Sequence, residues 1–288
     1  MTTDLEYRHV DVFAEEPFTG NGLIVIFGAT AGVSAATLRS VTVEMRQFES
    51  IFVDLAGDGT GVVARIFTAE EELPFAGHPV IGAAAALHER HAADDAERSW
   101  VFSIAGREIP VRSRRTALFY EAQMNQGTPE LSRPLPGEQT GQFMRALGLG
   151  QEDLHSLPMQ VISTGLPYLI VPLSRGLDRA RISVSDLEDR LASVGAKFIY
   201  VLDPETREGR TWDNGGAVED VATGSAAGPV AAYLTAHDLA QPGEAIQISQ
   251  GRFVGRPSTI AVNTDALGEI WVGGPVAPVA HGTIGLGG

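Results

Sequence analysis

Hydrophobic and polar residues alternate along Tyr7-Arg8-His9-Val10-Asp11-Val12-Phe13, a period of two that predicts a strand. A second β-rich run covers Leu23 to Phe27. The period then lengthens. Ala35, Leu38, Val41 and Met45 have helical spacing, and Ser34 stands where a cap belongs. Ile51 to Leu55 and Val62 to Thr68 read as two strands, with Gly57-Asp58-Gly59 as the hairpin signal between them. A helix is expected from Pro79 to near Arg90, then three short strands between Trp100 and Ala122.

The Pro- and Gly-rich stretch from Gln126 to Gly137 is the best linker candidate. Beyond it the pattern predicts a helix near Gly141 to Leu147 and strands at Gln160 to Ser163 and Tyr168 to Val171. A helix near Val184 to Ser193, a strand at Phe198 to Leu202, a helix after Ser225 and several terminal strands complete it. Strands interspersed with a few helices, without strict βαβ alternation, point to an α+β fold.

A weak duplication divides the chain. Glu72-Leu73-Pro74-Phe75-Ala76-Gly77-His78 opens an alanine-rich helix reaching Leu87, and Asp220-Val221-Ala222-Thr223-Gly224-Ser225 opens one reaching Leu234. Superposing Gly77-His78 on Gly224-Ser225 places Leu87 on Leu234, an offset of about half the chain. Two copies of one unit, with a site between them, are the economical reading.

Composition removes several chemistries. Asp plus Glu number 36 against 21 Lys plus Arg, a net charge of −15 without a compensating basic cluster, so nucleic-acid binding is not expected. There is no cysteine, which excludes disulfides, thiolate metal sites, Cys nucleophiles and a paired-thiol racemase. Lys197 is the sole lysine and a poor Schiff-base candidate. No Walker motif and no Gly-x-Gly-x-x-Gly after a strand supports nucleotide binding. Met1 to Glu6 carry no basic segment leading into an apolar stretch, and no run is long enough for a bilayer, so a cytoplasmic protein is expected.

Each alanine-rich helix opens on a glycine that lets a ligand approach unpaired amides at the positive end of a helix dipole. Pro79 suits a first helical position, which makes His78 the expected cap. Ser225 is a capping type, and Pro229 is expected to force the second helix to begin close by. Such ends hold a carboxylate or a developing enolate. The plain alternative is that His78 and Ser225 are structural caps only. Glu49 sits among large apolar residues in Gln47-Phe48-Glu49-Ser50-Ile51-Phe52, where desolvation would raise its pKa toward a range useful for a general base. By itself Asp220 reads as a turn residue or a dipole complement. His88-Glu89-Arg90-His91 lacks metal-pair spacing and reads as a solvated helix end.

With these motifs in view, the chain resembles the PhzF-type isomerases of phenazine biosynthesis along nearly its whole length. The matching stretches are Asp11-Val12-Phe13, Phe18-Thr19-Gly20-Asn21, Glu49-Ser50-Ile51-Phe52-Val53, Glu72 to Pro79, Ser163 to Pro167 and Glu219 to Pro229. Gln250-Gly251 followed by Gly255-Arg256-Pro257-Ser258 also fits. The resemblance implies the diaminopimelate epimerase-like fold: two pseudo-symmetric lobes, each a curled sheet around a central helix. On this basis we expect an N-terminal lobe of residues 1–126, joined by the last strand at 278–288, and a C-terminal lobe of 127–277. Ala76 and Ala222 would stand where the epimerase branch carries cysteines.

The resemblance further implies a cofactor-independent isomerase in which Glu49 moves a proton between carbons of trans-2,3-dihydro-3-hydroxyanthranilate. His78 and Asp220 would orient the substrate and share its protons, and Gly77, Thr223, Gly224 and Ser225 would bind it. Neither a metal nor an organic cofactor is implied, and a homodimer is. Asn21-Gly22 departs from the commoner Asn-Pro, and Arg46-Gln47-Phe48 is bulkier than usual. A PhzF-like isomerase or epimerase of a different small carboxylic acid is therefore the alternative. A binding protein without activity is a third reading, separated by whether Glu49→Gln abolishes turnover.

Overall fold

The computed structural model describes residues 4–28, 31–57 and 59–286, and within it the chain divides into two compact units. The first holds residues 1–125 and 273–288, the second 126–272. Asp58 of the hairpin signal and the first three residues lie outside the described set.

The first unit contains β1 (Asp4–Val12), β2 (Asn21–Phe27), α1 (Ala35–Met45), β3 (Ser50–Leu55), β4 (Gly61–Phe67), the short β5 (Glu72–Leu73) and α2 (Gly77–His91). It continues through β6 (Glu97–Ile104), β7 (Arg107–Arg115) and β8 (Tyr120–Gly127), the last of which ends at the unit boundary. The second unit contains β9 (Glu130–Leu131), α3 (Gly137–Ala146), β10 (Gln160–Ser163), β11 (Pro167–Pro172), α4 (Leu187–Ala192) and β12 (Phe198–Asp203). After these come β13 (Glu208–Arg210), α5 (Gly224–Ala236), β14 (Ile246–Gln250) and β15 (Ser258–Thr264). The final strand, β16 (Ile270–Gly285), starts in the second unit, but most of it belongs to the first. It pairs antiparallel with β1, and Gly273 lies against Ala122 and Gln123 of β8 so closely that no Cβ would fit.

The duplication is a duplication of pairings. From β1 through β2, β3, β4 and β6 to β7 the neighbours run antiparallel, parallel, antiparallel, parallel, antiparallel. From β10 through β11, β12, β13 and β14 to β15 they run in the same order. The central helices start at Gly77 and Gly224, the two residues that the internal match superposes. The fold is α+β, two similar units each with a curled sheet around a central helix.

Both faces of the first sheet are covered, so β2 is buried almost continuously instead of alternating. Ile24, Ile26, Phe52 and Phe67 pack with Leu38 of α1 on one side. On the other, a Cβ added at Gly82 of α2 would lie 2.5 Å from Leu23 and 2.8 Å from Val12, so glycine is what lets the helix approach. Ser34 caps α1 as expected, its hydroxyl accepting from the Thr37 amide. In the second unit, α3 and α4 bury Phe143, Met144, Leu187 and Leu191 in one cluster with Leu169, Val171, Ile199 and Val201.

Several local expectations are corrected. The cap of α2 is Ala76, with His78 and Pro79 inside the first turn, and no side chain caps the helix. The cap of α5 is Thr223, again without a side-chain cap bond, and Ser225 is the second helical residue. Thr223, not Ala222, is thus in register with Ala76. Pro229 lies in the second turn of α5, where its missing N–H leaves the Ser225 carbonyl without its helical partner. His88 is not part of a solvated helix end. It is fully buried, contacts the Ser113 hydroxyl at 2.8 Å through Nδ1 and reaches the Asp95 carbonyl through Nε2. The Trp100 indole N–H donates to the same hydroxyl, so the group is a satisfied structural network.

Candidate active site

In the first unit, Glu49 occupies the turn between α1 and β3. Arg46 ends α1 in the left-handed region at φ 51°, its amide bonded to the Val43 carbonyl, and the chain then enters the strand. Alternation through this turn sends Phe48 outward, 64% exposed, and Glu49 inward, 7% exposed. Phe48 therefore does not shield the carboxylate as the sequence suggested; burial at the strand entrance does. The space beside Gly22 is taken by Gln47, whose Oε1 lies 2.5 Å from where a Cβ at position 22 would stand.

His78, in the first turn of α2, brings its Nδ1 to 3.4 Å from Glu49 Oε2. Both side chains are nine-tenths buried. Burial lowers the His78 pKa to about 3, so its imidazole is neutral at ordinary pH. A neutral ring offers one N–H and one lone pair, and the Nε2 atom has no hydrogen-bond partner among the described residues. The Ser50 hydroxyl, next to Glu49 in sequence, is likewise buried without one. No side chain caps α2, so its first amides lack a side-chain acceptor from the cap position. The arrangement combines a carboxylate, a neutral imidazole and a helix start without a side-chain cap.

In the second unit the side chains at the opening of α5 are joined in a hydrogen-bonded network. The Thr223 hydroxyl donates to Asp220 Oδ2 at 2.6 Å. Ser225 Oγ contacts the Tyr168 hydroxyl at 2.7 Å, and burial pushes that phenol far above its ordinary pKa. The Gly224 carbonyl accepts from Gln126 Nε2 at 2.9 Å, while Gln126 Oε1 accepts from the Thr164 hydroxyl at 2.9 Å. Gly228 makes room for this glutamine, since a Cβ there would stand 2.4 Å from its Oε1. Gln250 joins Thr223 to the Asp220 backbone, and Tyr200 reaches Gln250 from behind.

Of the residues singled out from sequence, Glu49, His78 and Gly77 gather at the α2 opening. Asp220, Thr223, Gly224 and Ser225 gather at the α5 opening. Sequence reasoning missed Tyr168 and Gln126 as site residues, and noticed Thr164 and Gln250 only as parts of matching stretches. Among the described residues, no cluster of three or more His, Asp or Glu could hold a metal ion, and no helix is long and apolar enough to cross a membrane.

A duplicated epimerase-like fold whose relatives are isomerases and epimerases defines a PhzF-type isomerase. The chain belongs to the phenazine biosynthesis-like protein family, whose model matches residues 10–282. It is 33% identical to an uncharacterised isomerase of Escherichia coli, with 88% of each chain covered. It is 31% identical to the trans-2,3-dihydro-3-hydroxyanthranilate isomerase of Pseudomonas aeruginosa, with 91% of each covered. A solved structure of a predicted epimerase from Pseudomonas aeruginosa superposes with a TM-score of 0.90 at 47% identity, covering 97% of this chain and 99% of that one. At the level of fold alone, a hydroxyproline epimerase of Agrobacterium vitis matches with a TM-score of 0.63 at 13% identity, covering 98% of this chain and 93% of that one.

Proposed function

We propose that this protein is a cofactor-independent isomerase that uses Glu49 to move a proton between carbons of a small carboxylic acid. The observation that carries the reading is the pairing of a buried carboxylate with a neutral imidazole at an uncapped helix start. Glu49 takes a proton from a carbon made acidic by an adjacent unsaturated or carboxyl group and returns it to another carbon. His78, being neutral, can donate or accept a hydrogen bond without adding charge. The amides of Gly77 and His78, at the positive end of α2, favour the negative charge that develops in the enolate. Asp220, Thr223, Gly224 and Ser225 bind and orient the substrate.

The first substrate to test is trans-2,3-dihydro-3-hydroxyanthranilate, because a relative at 31% identity bears that name. Incubation in D2O followed by mass spectrometry is expected to give an isomerised product, and the Glu49→Gln variant none. Well-folded protein that leaves this compound untouched removes the substrate. A Glu49→Gln variant that still isomerises it removes the mechanism.

A second reading, a different small acid, is favoured by a specific contrast. In Pseudomonas aeruginosa the chain has a 47% identical relative distinct in name from the 31% identical dihydrohydroxyanthranilate isomerase. Gln47 filling the space beside Gly22, on the segment that carries Glu49, points the same way. Screening small unsaturated, hydroxy and amino acids for Glu49-dependent deuterium uptake at carbon separates the two.

A further inference from the structure

Gln250, at the end of β14, is 1% exposed and uses its whole hydrogen-bonding capacity. Its Nε2 donates to the Asp220 carbonyl and to Thr223 Oγ1, both at 2.9 Å. Its Oε1 accepts from the Thr223 amide at 3.3 Å and from the Tyr200 hydroxyl at 3.2 Å. The two Nε2 hydrogens and two Oε1 lone pairs are matched one to one, and rotating the amide by half a turn would set Oε1 against the Asp220 carbonyl and Nε2 against the Thr223 amide. The direction of the chain is therefore fixed. Since Thr223 Oγ1 receives a hydrogen from Gln250, the proton of Thr223 must point away, and it points at Asp220 Oδ2.

We infer that Gln250 is a positioning residue that, acting through Thr223, holds Asp220 as a hydrogen-bond acceptor at the opening of α5. The inference rests on the reading of Asp220 as part of the substrate-orienting group. A carboxylate oxygen that receives a directed O–H bond is held in one rotamer as an acceptor, so it meets substrate donors and not substrate oxyanions. Local geometry secures Gln250 itself. Gly251 follows it at φ +85°, and a Cβ there would stand 2.2 Å from the Arg256 carbonyl and 2.6 Å from the Val221 carbonyl. No other residue permits β14 to end so close to the segment that leads from Asp220 into α5.

The charged and titratable groups around the network are few. Tyr200 and Tyr168 are held neutral by burial, and Tyr200 feels the charges of Asp220 and Glu208. Glu208 is paired with Arg252, and Glu219 with Arg210. Replacing Gln250 by glutamate keeps the shape but exchanges the donating Nε2 for an oxygen. When that glutamate is ionised, the Thr223 proton turns toward it and abandons Asp220. When it is protonated, one donor is restored.

The test compares Gln250→Glu, Gln250→Leu, Thr223→Val and Thr223→Ser in the full chain, with folding checked by circular dichroism. For Gln250→Glu, kcat relative to wild type is expected to fall about tenfold as pH rises through the glutamate range, with a smaller change in KM. For Gln250→Leu the ratio is low and independent of pH, and Thr223→Ser restores what Thr223→Val loses. Equal, pH-independent losses in both Gln250 variants would mean that the glutamine only packs, and would overturn the inference. A second measurement needs no substrate. The carbon-13 titration of the Asp220 carboxyl should move up in Thr223→Val, which removes the donated O–H bond, and not move further when Gln250→Leu is added. An unmoved midpoint in Thr223→Val overturns the inference even if Gln250→Leu fails to fold. If wild type turns over no acid at all, that failure belongs to the activity reading, and the carboxyl titration still decides this one.

Discussion

The two central helices open alike in backbone and differently in side chains. Both start on a glycine, and both lack a side-chain cap, whereas the peripheral helix α1 has one in Ser34. At α2 the polar groups are under-bonded: His78 stands 3.4 Å from Glu49, and neither the His78 Nε2 nor the Ser50 hydroxyl has a partner among the described residues. At α5 they are bonded through to the second and third neighbour, from Tyr200 through Gln250 and Thr223 to Asp220. Under the proposed function the difference separates two tasks. A group that exchanges protons with substrate gains from bonds left for substrate to complete, while a group that orients it gains from rigidity.

The largest effect should come from the loose opening. Glu49→Gln keeps the volume and removes the base, and is expected to lower kcat by about 10²–10⁴-fold with KM changed only a few-fold. Steady-state kinetics with the confirmed substrate checks it, and an unchanged kcat would erase the contrast. The tight opening should fail through stability instead. Gly251→Ala places a Cβ against two carbonyls in a left-handed backbone and is expected to cost roughly 2–4 kcal/mol, read by urea denaturation.

A pH measurement sharpens the comparison from the side of His78. Burial holds its pKa at about 3, against 6.5 for an unperturbed imidazole. Between those values the unfolded chain binds a proton that the folded chain refuses, so the His78 contribution is present above pH 6.5 and is lost as pH falls toward 3. The slope is about 1.4 kcal/mol per pH unit. Comparing wild type with His78→Gln by denaturation at pH 7 and pH 5 should show it, and parallel curves would mean that His78 is better solvated than its burial indicates. The smallest effect concerns capping. Ser34→Ala should cost about 1 kcal/mol in thermal unfolding, because α1 relies on that hydroxyl.

What could be read from sequence follows the range of the forces involved. Strands and helices came through, because hydrophobic period and turn chemistry act over a few residues. The duplicated glycines did too, since a helix start needs them locally. His88 was misjudged because its neighbours Glu89, Arg90 and His91 are polar, whereas Ser113 and the Asp95 carbonyl that satisfy it are brought in by the fold. Ser225 was taken for a cap by its residue type, but the register of α5 moved the cap to Thr223 and left the hydroxyl to Tyr168, 57 residues away in the chain. Gln250 is 30 residues from Asp220, and nothing in its neighbourhood announces four bonds. Phe48 was expected to shield Glu49, but strand alternation turned it outward.

The route of β16 has a bearing on biosynthesis. A ribosome releases the first unit almost whole, yet the strand that lies between β8 and β1 is translated only after the entire second unit. Until then β1 waits with an unzipped edge, an invitation to pair with a neighbouring nascent chain. Folding yield should hence depend on how quickly the last stretch emerges, and a nonsense mutation in it would spoil the part of the protein that was made earliest.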